Sequence, residues 1–399
     1  MIVNLERARA RMEEAGLEAL VCVQPINVYY ASGYESDWLF DYQWAGCAIL
    51  PLSEDRPATL IVHDVELTNL AEHPSWMPEL RVYETQVGDD IFSHYTVDEE
   101  AELEEADRKT LALMEATRAT ASTGVVEAIL KALSDGGYRR LGFDDARLAS
   151  LCAERLANVQ CFDRPELMTM IRAVKTPAEL ELMREAGRRN QQALRVAIDA
   201  AGVGVKWSDI RRAWHLSVAE QDCMPWCIYV GAGHKSMGLW HDHDYPIREG
   251  DQLCFDSMLT WQRYFGDMQR TCVMGAPSAK LKRYWNAAYA AAEAVFDAMR
   301  PGVNTVDLRK LALEVGKRGG IKGFRHAFMH GLGLEHLELP SASPGLSGFD
   351  LEEGMVVNMD MEVCEIGFGG IYYENTLLIG PNGPEYLCDM PRELIHLPC

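Results

Sequence analysis

GDQLCFDSMLTWQRYFGDMQRT, residues 250–271, is the stretch on which the reading of the whole chain turns. The apolar run Leu253-Cys254-Phe255 leads directly into Asp256, a turn-like segment follows, and Asp267 stands eleven residues beyond Asp256. Carboxylates set among strand-like apolar residues are costly to bury unless something pairs with them. On adjacent strands of a hairpin the two would converge, and converging carboxylates call for a cation, a shared proton or an arginine.

The remaining chain offers partners for a cation. His330 lies in the Gly-rich segment FMHGLGLEHLELP, residues 328–340. Asp360 and Glu362 lie in GMVVNMDMEV (354–363), which alternates apolar and polar residues as a strand does, and Glu374 lies in the similar run GGIYYENTLLI (369–379). Asp256, Asp267, His330, Asp360 and Glu374 form an oxygen-rich set with one imidazole. That mixture suits Mn, Fe, Co or Zn and differs from the thiolate set of a structural zinc site.

In this order the residues resemble the creatinase, prolidase and methionine aminopeptidase family with its pita-bread fold. VYYASGY (28–34) is similar to a segment of that family's N-terminal domain, and IRAVKTPAELELMREA (171–186) to the entry into its catalytic domain. The resemblance implies an α/β N-terminal domain over residues 1–165 and an α+β pita-bread catalytic domain over 166–399, the latter a pseudo-symmetric duplication. It further implies two divalent metal ions, with Asp267 and Glu374 bridging, Asp256 on one ion, and His330 and Asp360 on the other. Such a pair lowers the pKa of a shared water and polarises a carbonyl. Metal-bound hydroxide would attack a C–N bond, with Glu338 or a histidine moving the proton. His326, four residues before His330, matches a family histidine. In LWHDHDYP (239–246), His241 is the expected catalytic histidine and His243 the alternative.

Three departures stand out. Asp360 replaces the usual Glu and is one methylene shorter, with Glu362 expected on the same strand face. Tyr372 replaces an Arg. Leu337 replaces a second His; His336 is adjacent and a candidate for substrate binding, but strand alternation would point it away from Leu337's side. Trp38 and Tyr42, in the aromatic and acidic stretch ESDWLFDYQW (35–44), are expected to contact substrate or to pack between domains.

Length and composition set the outer limits. The chain has 399 residues, enough for two domains, and a net charge of −22, which argues against nucleic-acid or anionic-membrane surfaces. Eleven cysteines occur without CxxC spacing, no secretory pattern opens the sequence, and no apolar run approaches membrane-spanning length. The expected protein is a cytoplasmic homodimer acting on a small molecule or short peptide. The leading reading is a metal-dependent hydrolase resembling Xaa-Pro dipeptidases and aminopeptidases. The alternatives are a lyase resembling dimethylsulfoniopropionate lyases and a metal-free, creatinase-like hydrolase of a small amidine or amide. The substitutions at 337 and 372 predict weak turnover of Xaa-Pro dipeptides.

Overall fold

A computed structural model describes residues 2–85, 92, 95–237, 244–322, 324, 326–341 and 348–399, the His326 side chain excepted. Contacts divide the chain into two units, Met1–Arg172 and Ala173–Cys399.

The first unit runs α1 (Leu5–Ala15), β1 (Ala19–Cys22), α2 (Pro25–Ser32), α3 (Asp37–Asp41), β2 (Gly46–Pro51), β3 (Thr59–His63), α4 (Leu67–Glu72), β4 (Glu79–Glu84), α5 (Glu105–Thr117), β5 (Ser122–Thr123), α6 (Val125–Asp135), β6 (Arg140–Phe143), α7 (Ala146–Arg155), β7 (Gln160–Asp163) and α8 (Pro165–Arg172). Its sheet has the order β5-β4-β3-β2-β1-β6-β7. Only the β1–β2 and β2–β3 pairings are antiparallel. The apolar faces of α6 and α7 cover Val21, Ile49, Ile61, Leu141 and Phe143 of this sheet. Pro25 opens α2. A proline in the first helical turn loses no needed N–H and arrives with its φ already set.

The second unit runs α9 (Pro177–Asp199), α10 (Trp207–Ala219), β8 (Met224–Ala232), β9 (Gln252–Trp261), β10 (Tyr264–Met274), α11 (Ala279–Ala298), α12 (Thr305–Arg318), β11 (His326–Gly331), β12 (Glu338–Ser341), β13 (Val356–Glu365), β14 (Gly369–Gly380), β15 (Gly383–Tyr386) and β16 (Ile395–Leu397). Two helices followed by strands thus occur twice. Thr176 caps α9 in a reciprocal capping box with Glu179. The sheets have the orders β16-β10-β9-β8 and β12-β11-β13-β14-β15.

Strand alternation sorts the side chains of both sheets. Leu253, Phe255 and Leu259 of β9 pack with α9 and α10, so Asp256 faces the other way. Val357, Met359, Met361 and Val363 of β13 pack with α11 and α12, so Asn358, Asp360 and Glu362 face the opposite side. The β9–β10 hairpin closes through Gln262 and Arg263, both left-handed at φ 46° and 67°. This two-residue turn sets Asp256 opposite Gln269 and Met258 opposite Asp267, which puts both carboxylates on one face.

Helix α9 lies directly against β10. A Cβ at Gly266 would sit 2.5 Å from the Ala186 carbonyl oxygen and 2.9 Å from Asn190 Cβ. Backbone cannot swing aside as a side-chain tip can, so Gly266→Ala is expected to destabilise the protein by about 1–3 kcal/mol. Chemical denaturation of the two proteins checks this; an unchanged midpoint would contradict the packing described.

Candidate metal centre

Five buried donors converge where β9, β10, β11, β13 and β14 meet: Asp256, Asp267, His330, Asp360 and Glu374. Asp360 and Glu374 are direct cross-strand partners. His330 lies opposite Asn358, diagonal to Asp360. His330 Nε2 is 3.6 Å from Asp360 Oδ2, 3.6 Å from Glu374 Oε1 and 4.0 Å from Asp267 Oδ2. Ligand atoms of Asp256, Asp267 and Glu374, and likewise of His330, Asp360 and Glu374, lie within 4.8 Å of one another.

The surrounding residues aim these groups. His330 Nδ1 lies 3.0 Å from the Gly331 carbonyl; donating a proton there leaves the Nε2 lone pair facing the acids. Asn358 Nδ2 donates to Glu374 Oε1 at 2.6 Å. Thr376 Oγ1 donates to the Asp267 carbonyl, and Thr271 Oγ1 both donates to the Tyr372 carbonyl and accepts from its N–H. These bonds stitch β10 of one sheet to β14 of the other. Arg270 is fully buried behind the acids, yet its guanidinium donates to the carbonyls of Gln269, Glu374, Met390 and Pro391 and to Asn375 Oδ1. No carboxylate of the cluster receives that charge.

One oxygen on each acid, namely Asp256 Oδ1, Asp267 Oδ1, Asp360 Oδ1 and Glu374 Oε2, is buried without a hydrogen-bond partner. Burial, reinforced by Glu374 and the other acids, pushes Asp256 and Asp360 well above the usual carboxylate range. Burial and Glu374 push Asp267 up to about 6 against the pull of His336 and His330. Burial also opposes ionisation of Glu374, but His330, Asp360 and Asn358 outweigh it and hold its pKa low. Burial disfavours the His330 imidazolium; Glu374 and Asp267 more than compensate and raise its pKa. Orphaned oxygens, one oriented imidazole and frustrated negative charge fit divalent cations held by hard and borderline donors.

The cluster opens into a cavity of about 230 Å³ lined also by Trp226, Cys227, Tyr229, Met258, Gln269, Phe328, His336, Leu337 and Glu362. Trp226 stands edge-on to Phe265, and Phe328 stacks on His330. Burial first, then Asp256 and Asp267, raise the Cys227 thiol to about 12, so it stays protonated.

The structure brings together all five expected ligands, with Asp360 in the cluster and Glu362 accepting from Gln269 Nε2 at 3.1 Å. His336 does not point away. Its Nε2 reaches Asp267 Oδ2 at 3.1 Å, because residues 333–337 form bends, and strand alternation does not govern them. Glu338 lies outside the cavity lining; buried, it pairs with Lys175 Nζ at 3.1 Å and accepts from the Glu335 N–H. Tyr372 is buried opposite Glu362 and is likewise not a lining residue. His326 pairs with Glu362 through its backbone, its side chain lying outside the described residues, as do His241 and His243. In the first unit, Trp38 stacks near Tyr42 and His63 (centroids 4.3 and 5.3 Å) and with Trp44 and Tyr83 lines a cavity of about 490 Å³. Asn358, Gln269 and the aromatic wall at Trp226, Tyr229 and Phe328 escaped sequence reading. Asn358 and Gln269 carried a signal, each lying two residues from an expected ligand, Asp360 or Asp267, on the inward face.

Comparison with known proteins agrees with this site. The model of metallopeptidase family M24 matches residues 181–381, and that of the creatinase/prolidase N-terminal domain matches residues 4–174. The chain belongs to metallopeptidase family M24 and is a metal-dependent hydrolase. An Xaa-Pro dipeptidase of Pyrococcus furiosus is 28% identical over 250 residues, covering 60% of this chain and 70% of that protein. Another, from Pyrococcus horikoshii, is 26% identical over 272 residues, 65% and 76% of the two chains. The solved prolidase of Pyrococcus horikoshii OT3 shares the fold with a TM-score of 0.72 at 22% identity, over 98% of this chain and 99% of that one. An Xaa-Pro dipeptidase from Bacillus anthracis does so with a TM-score of 0.74 at 21% identity, again over 98% and 99%. The two-domain pita-bread expectation is therefore met.

A cluster built for cations destabilises the protein that lacks them. Asp256→Asn is therefore expected to raise the Tm of metal-stripped protein by a few degrees and to lower that of metal-saturated protein, relative to the unsubstituted chain. Calorimetric melts with and without chelator check the crossover; a fall in both states would show that Asp256 is structural.

Proposed function

We propose that this hydrolase cleaves the Xaa-Pro bond of short peptides that present a free amino end, using two divalent ions drawn from Mn, Fe, Co or Zn. The observation that carries this is the cluster of five converging ligands, with an orphaned oxygen on each acid, at the base of a small cavity. Asp267 and Glu374 would bridge the ions, Asp256 would hold one, and His330 and Asp360 the other. Bound ions supply an acidified water and a Lewis acid for the scissile carbonyl.

The chain's own residues do the rest. Asn358 holds one Glu374 oxygen and leaves the other for the cluster; the Gly331 carbonyl fixes the His330 tautomer. Trp226, Tyr229, Phe328 and Met258 give apolar walls for the residue before the bond and for the prolyl ring. The described lining carries Asp256, Asp267, Asp360, Glu362 and Glu374 but no Lys or Arg. Glu362, which accepts from Gln269, would receive a substrate ammonium. The carboxylate of a dipeptide meets no cation among the described lining residues, Tyr372 standing where the family has Arg. Leu337 at the third departure no longer counts against peptide cleavage, because His336 brings an imidazole to the site. We propose further that the enzyme is a cytoplasmic homodimer in which residues 35–44 of one subunit close the partner's cavity. Among the described residues no helix is long and apolar enough to cross a membrane, and no disulfide joins any of the eleven cysteines.

Metal-stripped enzyme should lose Xaa-Pro hydrolysis at least a hundredfold and regain it with Mn or Co. In loaded enzyme, Xaa-Pro amides or tripeptides should exceed the matching dipeptides in kcat/KM by about tenfold or more, the cost of one unpaired charged group. Hydrolysis that survives chelation would refute the metal reading; dipeptides preferred over amides would refute the amino-end reading. Light scattering should show a dimer at assay concentration, and an active monomer would remove the shared-site arrangement.

A further inference from the structure

We propose that His336 is itself a metal ligand, giving the ion beside His330 two imidazoles where the resemblance leaves it one. This inference rests on the metal reading above. Ligand atoms of Asp267, His330 and His336 lie within 4.8 Å of one another, a grouping separate from the two that contain Glu374. Asp267 Oδ2 stands between the rings, 3.1 Å from His336 Nε2 and 4.0 Å from His330 Nε2. With metal–ligand bonds of roughly 2.0–2.2 Å, donors on one ion sit roughly 3 Å apart at right angles and about 4 Å apart when opposed. Both distances fall in that span. The two rings are near perpendicular, with centroids 5.4 Å apart and planes at 75°.

The loop that carries His336 is fixed at several points. The Phe265 N–H donates to the Gly333 carbonyl at 2.9 Å, tying the loop to β10 beside Asp267. The Glu335 N–H donates to Glu338 Oε1, and Glu338 is clamped by Lys175. A Cβ at Gly333 would fall 2.6 Å from Glu338 Oε2, so the loop is drawn tightly over that carboxylate. The His336 ring then leans on Phe265, centroids 5.9 Å apart. Glu338, expected to move protons, acts in this geometry as a positioning residue for the imidazole. Nitrogen in place of a further oxygen shifts the site's preference from Mn towards Co or Zn.

The competing role is a hydrogen bond from His336 to Asp267 without contact to the ion. Loss of such an outer partner lowers metal affinity by about 10–100-fold, so affinity alone cannot separate the two. X-ray absorption does, because imidazoles on the absorbing ion are counted by their characteristic multiple scattering. The experiment loads apoprotein with zinc and compares wild type, His336→Gln and His336→Ala, with circular dichroism to check folding. The expected result is at least two imidazoles per ion pair in wild type and one fewer in either variant. Cobalt-loaded protein should show the matching shift in its visible ligand-field bands. An equal imidazole count in wild type and a folded, metal-binding variant overturns the proposal, whatever the affinity. If neither variant folds, the wild-type spectrum decides: a single imidazole per pair overturns it, and two or more support it. Failure of wild type to bind zinc at all would instead sink the metal reading on which this inference stands, and the inference with it.

Discussion

Four carboxylates buried within a few ångströms of each other repel, and the second unit is arranged around that repulsion. Two unit charges 4 Å apart interact by about 4 kcal/mol at an effective dielectric of 20, so several unscreened pairs would rival the whole stability of a domain. Burial and the neighbouring acids raise the pKa of Asp256 and Asp360, whereas His330, Asp360 and Asn358 outweigh burial and lower that of Glu374. Arg270 is buried and spends its donors on carbonyl oxygens of β10, β14 and residues 390–391. A positive side chain inside the cluster would stabilise the apoprotein and compete with the ion. Placing it behind the strands supplies rigidity and a favourable field without that competition.

Rigidity of this kind needs both sheets. Neither alone holds a complete donor set: β9 and β10 supply Asp256 and Asp267, while β11, β13 and β14 supply His330, Asp360 and Glu374. The side-chain-to-backbone bonds of Thr271 and Thr376 set the spacing between the two groups. The apolar sides of the sheets are covered separately, by α9 and α10 and by α11 and α12. Each strand therefore reads apolar on one face and ligand-bearing on the other.

That alternation is what made so much of the site legible in the sequence. Asp256 after Leu253-Cys254-Phe255, Asp360 within VVNMDMEV and Glu374 within IYYENTLL all sit where period-two strands must turn a polar residue away from the core. Thr176-Pro177 announced α9 through its cap and its first-turn proline. Reading failed where the backbone leaves regular structure. Strand rules do not hold for His336 in the bends at 333–337, and the ion-pair partner of Glu338, Lys175, lies 163 positions away in sequence. No local pattern could have paired those two. The aromatic wall of Trp226, Tyr229 and Phe328 was invisible for a related reason: aromatic residues on strands look alike whether they face a core or a cavity.

The turn at Gln262 and Arg263 has a consequence for how such a chain can vary. Two non-glycine residues hold left-handed conformations there, and they leave no slack in the connection between β9 and β10. One residue inserted or deleted at this point would slide the strands by a single step. Asp267 would then exchange places with an apolar neighbour, its carboxylate driven under α9 and a methionine or glycine presented to the other acids. A change in the length of this hairpin is therefore costly in a way that a change in a surface loop is not. Its tip is held to a fixed residue count by the register and to a narrow range of residue types by its left-handed backbone.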